Sequence, residues 1–227
     1  MDTFTTEEVS FQADGQPVKG YLVRPEDPAG GILVLHAWWG LNAFFKQYCE
    51  RLASEGFVVF APDLNQGKIA QTIAEAEEMM EERKFAPTRA AVIGGADYLR
   101  RQPGVDGAKL GVVGFSMGGS WSLFLATEMP DAVAAVSLYY AVEGVDFSTA
   151  RAEFQGHFAE TDEWTPEEAV IHMKGDMDQA GLKAEFYHYP GTGHWFVEAD
   201  RPDAYQPEAA ALAWERTVKF FKDRIRN

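Results

Sequence analysis

The sequence has a single cysteine, Cys49, and no apolar run approaching the ~18 residues that a membrane helix needs. One cysteine cannot form an internal disulfide, which fits a reducing compartment. Basic residues are also scarce: 20 Lys and Arg face 35 Asp and Glu, for a formal net charge of −15. Such a chain is repelled by nucleic-acid phosphate and by anionic lipid, so neither nucleic acid nor a membrane is expected as its partner. No G-x-G-x-x-G follows the first buried strand, no P-loop lysine motif occurs, and no histidine pair has zinc-ligand spacing, so no cofactor and no metal are expected. Residues 1–8 are polar and acidic, without the basic and apolar segments of a secretory signal, and the expected location is the cytoplasm.

What is present is a regular alternation of strand and helix patterns. Residues 9–13 and 18–23 alternate in polarity around Asp14-Gly15, a hairpin turn signal. Residues 31–35 and 57–61 are continuous apolar runs, the mark of strands buried on both faces, with a helical pattern over 44–54 between them. The chain then reads helical over 69–99 with a break at Pro87, strand over 110–115, helix over 118–128 and strand over 134–140. A weaker strand spans 153–158. Thr165-Pro166-Glu167-Glu168 reads as a helix start, with Thr165 as the cap and Pro166 in the first helical position. A strand over 184–189 and a helix over 207–226 close the chain. No Pro/Gly/Ser-rich linker, repeat or low-complexity tract interrupts this order. The expectation is one α/β domain over residues 1–227, with a mostly parallel central sheet flanked by helices and opened by an antiparallel hairpin.

In such sheets the reactive groups sit in loops at the carboxyl ends of strands. Gly114-Phe115-Ser116-Met117-Gly118-Gly119 follows a strand and opens a helix, the context of a nucleophile elbow, with Ser116 as nucleophile. A serine hydroxyl needs a base to take its proton. Of five histidines, His172 falls in a helix and His157 and His188 in strands. His36 ends a strand and is a rival, whereas His194 lies in the glycine-flanked loop after the last strand, behind the serine in chain order. The orienting acid belongs between them: Asp162 follows a strand and precedes a helix, Asp146 is the runner-up, and a register shift brings in Glu160 or Glu163. The oxyanion calls for two backbone N–H donors, one from Met117 and one from the loop His36-Ala37-Trp38-Trp39-Gly40, with Trp38 preferred and Ala37 the alternative. Trp39, Trp121 and Trp195 lie on or next to these loops and suggest an apolar pocket wall.

Taken together, Leu35-His36-Ala37-Trp38-Trp39-Gly40-Leu41-Asn42, Ala61-Pro62-Asp63-Leu64, the Ser116 elbow, Tyr139-Tyr140, residues 156–162 and Gly193-His194-Trp195-Phe196 resemble the dienelactone hydrolase family of the α/β-hydrolase superfamily. The resemblance implies a cofactor-free, single-domain hydrolase with its triad on Ser116, Asp162 and His194. It also sets three departures in view. The family's namesake enzymes use a cysteine where this chain has Ser116, a glutamate in the loop where Ala37 stands, and a substrate-binding arginine four residues after the histidine, where Glu198 stands. The expected function is a serine esterase or lactonase-like hydrolase acting on small neutral or apolar esters, with Ala37, Trp39, Trp121, Trp195 and Glu198 near the substrate. If Glu198 faces the pocket, it repels an anionic substrate; the other orientation is toward solvent. The alternatives are carboxymethylenebutenolidase activity proper and a non-catalytic protein that binds an apolar ligand on the same fold.

Overall fold

The computed structural model describes residues 4–225; the polar opening residues 1–3 and the expected helix end at Arg226 lie outside them. The chain divides into two compact units, one ending at Leu110 and one beginning at Gly111.

In the first unit, β1 (Phe4–Ala13) and β2 (Gln16–Pro25) form the expected hairpin. Asp14 and Gly15 both adopt positive φ (48° and 73°), the backbone of a two-residue turn whose twist matches that of the flanking strands. The strand order is β1-β2-β4-β3, where β3 is Gly31–Leu35 and β4 is Val58–Pro62. β2 and β4 run antiparallel, β3 and β4 parallel, and every residue of β3 and β4 is buried. At Gly20 the ladder passes under Phe60, and a Cβ there would sit 2.4 Å from that ring, so only glycine fits. Helix α1 (Ala43–Ser54) is capped by Asn42, whose side chain accepts from the Phe45 N–H. Between residues 69 and 100 the break is not at Pro87. Helix α2 (Ile73–Glu82) starts with a Thr72/Glu75 capping box and stops before Arg83. Helix α3 (Phe85–Arg100) holds Pro87 in its first turn, where a missing N–H leaves no intrahelical bond unmade.

The second unit carries β5 (Leu110–Phe115), β6 (Val133–Tyr139), β7 (Glu153–Ala159) and β8 (Ala184–Tyr189) in that spatial order, with β6, β7 and β8 parallel. Helix α4 (Met117–Glu128) packs on β6, α5 (Glu167–Gln179) on β8, and α6 (Pro207–Ile225) on β6 and β7. The ring of Phe115 stacks on Tyr139 at 4.7 Å and 11°, which locks β5 to β6 beneath the serine. Thr165 does not cap α5. Pro166 holds the cap position in extended conformation (ψ 144°), and the Thr165 hydroxyl donates instead to the Tyr140 carbonyl at 2.9 Å. The expected α/β class, with a mostly parallel sheet opened by an antiparallel hairpin, is what the structure has. Among the described residues no helix is long and apolar enough to cross a membrane.

Candidate active site

Ser116 sits between β5 and α4 at φ 49° and ψ −117°, a conformation that L-residues rarely adopt and that surrounding contacts must hold in place. Its N–H donates to the Tyr139 carbonyl at 3.0 Å, and its own carbonyl accepts from the N–H groups of Gly119 and Ser120. The tightness of the turn explains the glycines. A Cβ on Gly114 would lie 2.3 Å from the Gly118 carbonyl oxygen, and one on Gly119 would lie 2.3 Å from Ala141 Cβ. Met117 is the first residue of α4, so its N–H belongs to the group that has no partner inside the helix.

His194 and Asp162 complete a row. His194 Nε2 lies 3.0 Å from Ser116 Oγ, and His194 Nδ1 lies 2.6 Å from Asp162 Oδ2. With the ring proton on Nδ1, the carboxylate accepts a hydrogen bond from that N–H, and Nε2 is left to accept from the serine hydroxyl. Both side chains are 3% exposed, so this contact is made away from water. The other carboxylate oxygen, Oδ1, accepts the N–H groups of Trp164 and Thr165, each at 2.9 Å. Three donors therefore fix one carboxylate, and the loop after β7 can present it in one orientation only. Rings surround the imidazole: Tyr140, Trp195 and Trp164 have centroids 4.7, 5.0 and 5.3 Å away.

The rivals are placed elsewhere. His36 is fully buried, with Nε2 accepting from the Leu64 N–H at 3.0 Å and Nδ1 donating to the Ala37 carbonyl at 2.6 Å. Burial pushes its pKa down to about 4, so it is a neutral brace between two loops. His157 is bonded to Tyr189, Gln155 and Thr217, and burial lowers it to about 3. His172 and His188 are exposed. Asp146 caps a short 3₁₀ turn by accepting from the Ser148 N–H, which lowers its pKa. Glu160 accepts from the Gly191 N–H, tying the acid loop to the histidine loop, and Glu163 is exposed.

Among the remaining candidates, Ala37 and Trp39 are buried, and Trp38 is half-buried with its ring 5.4 Å from that of Trp39. Trp121 lies on α4 against Phe124, and Trp195 packs on Trp164 at 4.7 Å. Glu198 takes neither of the two expected orientations. It is 0% exposed, and its Oε1 accepts from the Tyr140 hydroxyl at 2.5 Å. Sequence reasoning missed Tyr140, which entered only as part of a family motif. It also missed Asn65 and the bracing role of Arg83. Asn65 Nδ2 donates to the Trp38 carbonyl at 2.9 Å, and Arg83 holds Asn65 Oδ1 at 2.6 Å and the Leu64 carbonyl at 3.2 Å. Among the described residues no group of three or more His, Cys, Asp or Glu is arranged to hold a metal ion.

Residues 18–225 match the model of the dienelactone hydrolase family. The chain is 32% identical to Protein usf of Aquifex pyrophilus, over 96% of this chain and 98% of that protein. It is 27% identical to a Bradyrhizobium protein named as a probable 2-oxo-3-(5-oxofuran-2-ylidene)propanoate lactonase, over 97% of this chain and 95% of that one. Among solved structures, a dienelactone hydrolase-like promiscuous phosphotriesterase from metagenomic libraries aligns with a TM-score of 0.89 at 20% identity, covering 98% of this chain and 99% of the other. That last likeness carries the fold alone.

Proposed function

The chain belongs to the dienelactone hydrolase family of α/β hydrolases, and from that premise we propose that it cleaves small carboxylic esters or lactones through an acyl-enzyme on Ser116. The observation that carries this reading is the unbroken row of hydrogen bonds from Asp162 through His194 to Ser116. His194 Nε2 takes the hydroxyl proton as Ser116 Oγ bonds to the ester carbonyl carbon. Asp162 keeps Nδ1 protonated and stabilises the imidazolium that forms. The oxyanion is held by the Met117 N–H, with the Trp38 N–H as the second donor that the sequence pattern suggests. His194 then gives its proton to the departing alkoxide, and water, deprotonated by the same nitrogen, releases the acid.

One of the substrate-binding arginines of the family's namesake enzymes is missing four residues after His194, where this chain has a buried glutamate, and the net charge is −15. An unpaired substrate carboxylate taken out of water is costly, so the proposed substrate is neutral, with its apolar part against rings such as Trp195. We place the enzyme in the cytoplasm, as one domain over residues 1–227. The test is kcat/KM for size-matched neutral and anionic esters, at low and high salt, with Ser116→Ala as control. The neutral ester is cleaved faster, added salt narrows the gap, and Ser116→Ala loses activity by orders of magnitude while remaining folded. Faster cleavage of the anionic ester contradicts the substrate class, and undiminished turnover by Ser116→Ala contradicts the mechanism.

A further inference from the structure

A carboxylate is almost never fully buried unless something compensates it. Glu198 is 0% exposed, and it belongs to the histidine loop itself, since its N–H donates to the Trp195 carbonyl at 2.8 Å. Its side chain reaches out of that loop to the end of β6, where Oε1 accepts the Tyr140 hydroxyl at 2.5 Å. Tyr140 is equally buried and stands at φ 40°, a genuine outlier for a bulky residue. Such a conformation persists only where its neighbours over-determine it, and they do. The Tyr140 N–H donates to the His157 carbonyl at 2.8 Å, and its own carbonyl accepts from Thr165 Oγ1 at 2.9 Å. Thr165 is the residue whose N–H holds Asp162 Oδ1. The ring that is pinned at both ends lies 4.7 Å from the His194 imidazole, tilted by 53°.

We propose that Glu198 is a positioning residue that acts on His194 through Tyr140. Its carboxylate anchors the Tyr140 hydroxyl and makes the ring a better partner for the imidazolium that forms when Ser116 is deprotonated. The inference rests on the triad reading above. Two effects combine. The bond fixes the plane against which the imidazole sits, so that Nε2 stays aimed at Ser116 Oγ. Donation from the hydroxyl to a carboxylate in a water-free site also polarises the phenol and makes its face more negative, which favours a cation over a neutral ring. The position at which the family's namesake enzymes put a substrate-binding arginine thereby serves the base instead of the substrate.

The experiment compares Glu198→Gln, Tyr140→Phe and the double variant with the wild type. Glu198→Gln keeps volume and an acceptor oxygen but removes the charge; Tyr140→Phe keeps the ring but removes the bond. The readouts are kcat and KM on a neutral ester, and the titration of the His194 imidazole by nitrogen NMR, which needs no turnover. The ionisable groups that face His194 include Asp162 from the loop after β7, Tyr140 from the end of β6, and Glu198 behind Tyr140. The expected result is a fall in kcat of about tenfold in each single variant with KM unchanged, and no further fall in the double variant. The midpoint of His194 moves down by about half a pH unit in Glu198→Gln, because the imidazolium has lost support. Losses that multiply in the double variant, a change confined to KM, or an unmoved His194 midpoint would each overturn the proposal. Failure of the triad reading looks different: the wild type then turns over ester without dependence on Ser116.

Discussion

At Asp162 one carboxylate does two jobs with two oxygens. Oδ1 is occupied by the N–H groups of Trp164 and Thr165, and Oδ2 by His194 Nδ1. Asparagine at this position can satisfy the two backbone donors only by turning its oxygen toward them, which points an NH₂ group at His194. The imidazole must then protonate Nε2, the nitrogen that has to accept from Ser116. Asp162→Asn should therefore lower kcat on the order of 10⁴-fold, the size of effect seen when a triad histidine is forced into the wrong tautomer. Asp146→Asn should leave kcat near the wild-type value, because Asp146 is an exposed cap of a 3₁₀ turn. Steady-state kinetics on the two variants separates the assignments, and the reverse order of damage would move the acid to Asp146.

Elements were legible where burial left a strong pattern. The apolar runs of β3, β4 and β5 and the glycines of the elbow announce themselves, because a strand buried on both faces and a turn with no room for a Cβ each demand one kind of residue. Thr165 and Pro166 were misassigned by one position because the hydroxyl found a tertiary acceptor, the Tyr140 carbonyl, which competes with local capping. Glu198 was illegible for a similar reason. Residue type says that a glutamate is exposed, and the three-dimensional approach of Tyr140, which the sequence does not announce, helps to make its burial tolerable. The loop that follows β3 shows the same limit, since nothing in the sequence links Asn65 or Arg83 to Trp38. Asn65 Nδ2 fixes the Trp38 carbonyl, and Arg83 fixes Asn65. If the Trp38 N–H is an oxyanion donor, Asn65→Leu should loosen it and lower kcat by about tenfold, with KM nearly constant. The reference is that complete loss of one such donor costs about 10²–10³-fold. An unchanged kcat in a folded Asn65→Leu protein would remove Trp38 from the oxyanion role.

For the molecule as a whole, acid is the sensitive direction. His36 and His157 are buried and neutral, with pKa values lowered to about 4 and about 3 from an ordinary 6.5. Below pH 6.5 the unfolded chain takes up protons at these positions and the folded chain does not. Stability is thus complete above about pH 6.5 and falls as pH drops toward 4, by about 1.4 kcal/mol per pH unit for each histidine. Thermal unfolding followed between pH 7 and pH 4.5 should show Tm falling continuously, and less steeply in His157→Gln. A Tm that stays level across that range would contradict the burial of both rings as neutral bases.

The central claim is that Ser116, activated by His194 and Asp162, carries the acyl group. The most direct measurement is intact-mass and peptide-mass analysis after treatment with a fluorophosphonate, which bonds its phosphorus to an activated serine oxygen and expels fluoride. The account predicts one adduct per chain, on Ser116, formed much more slowly in His194→Ala and absent in Ser116→Ala, with ester turnover lost in step with labelling. Labelling at another residue, or turnover that survives complete modification of Ser116, would contradict it.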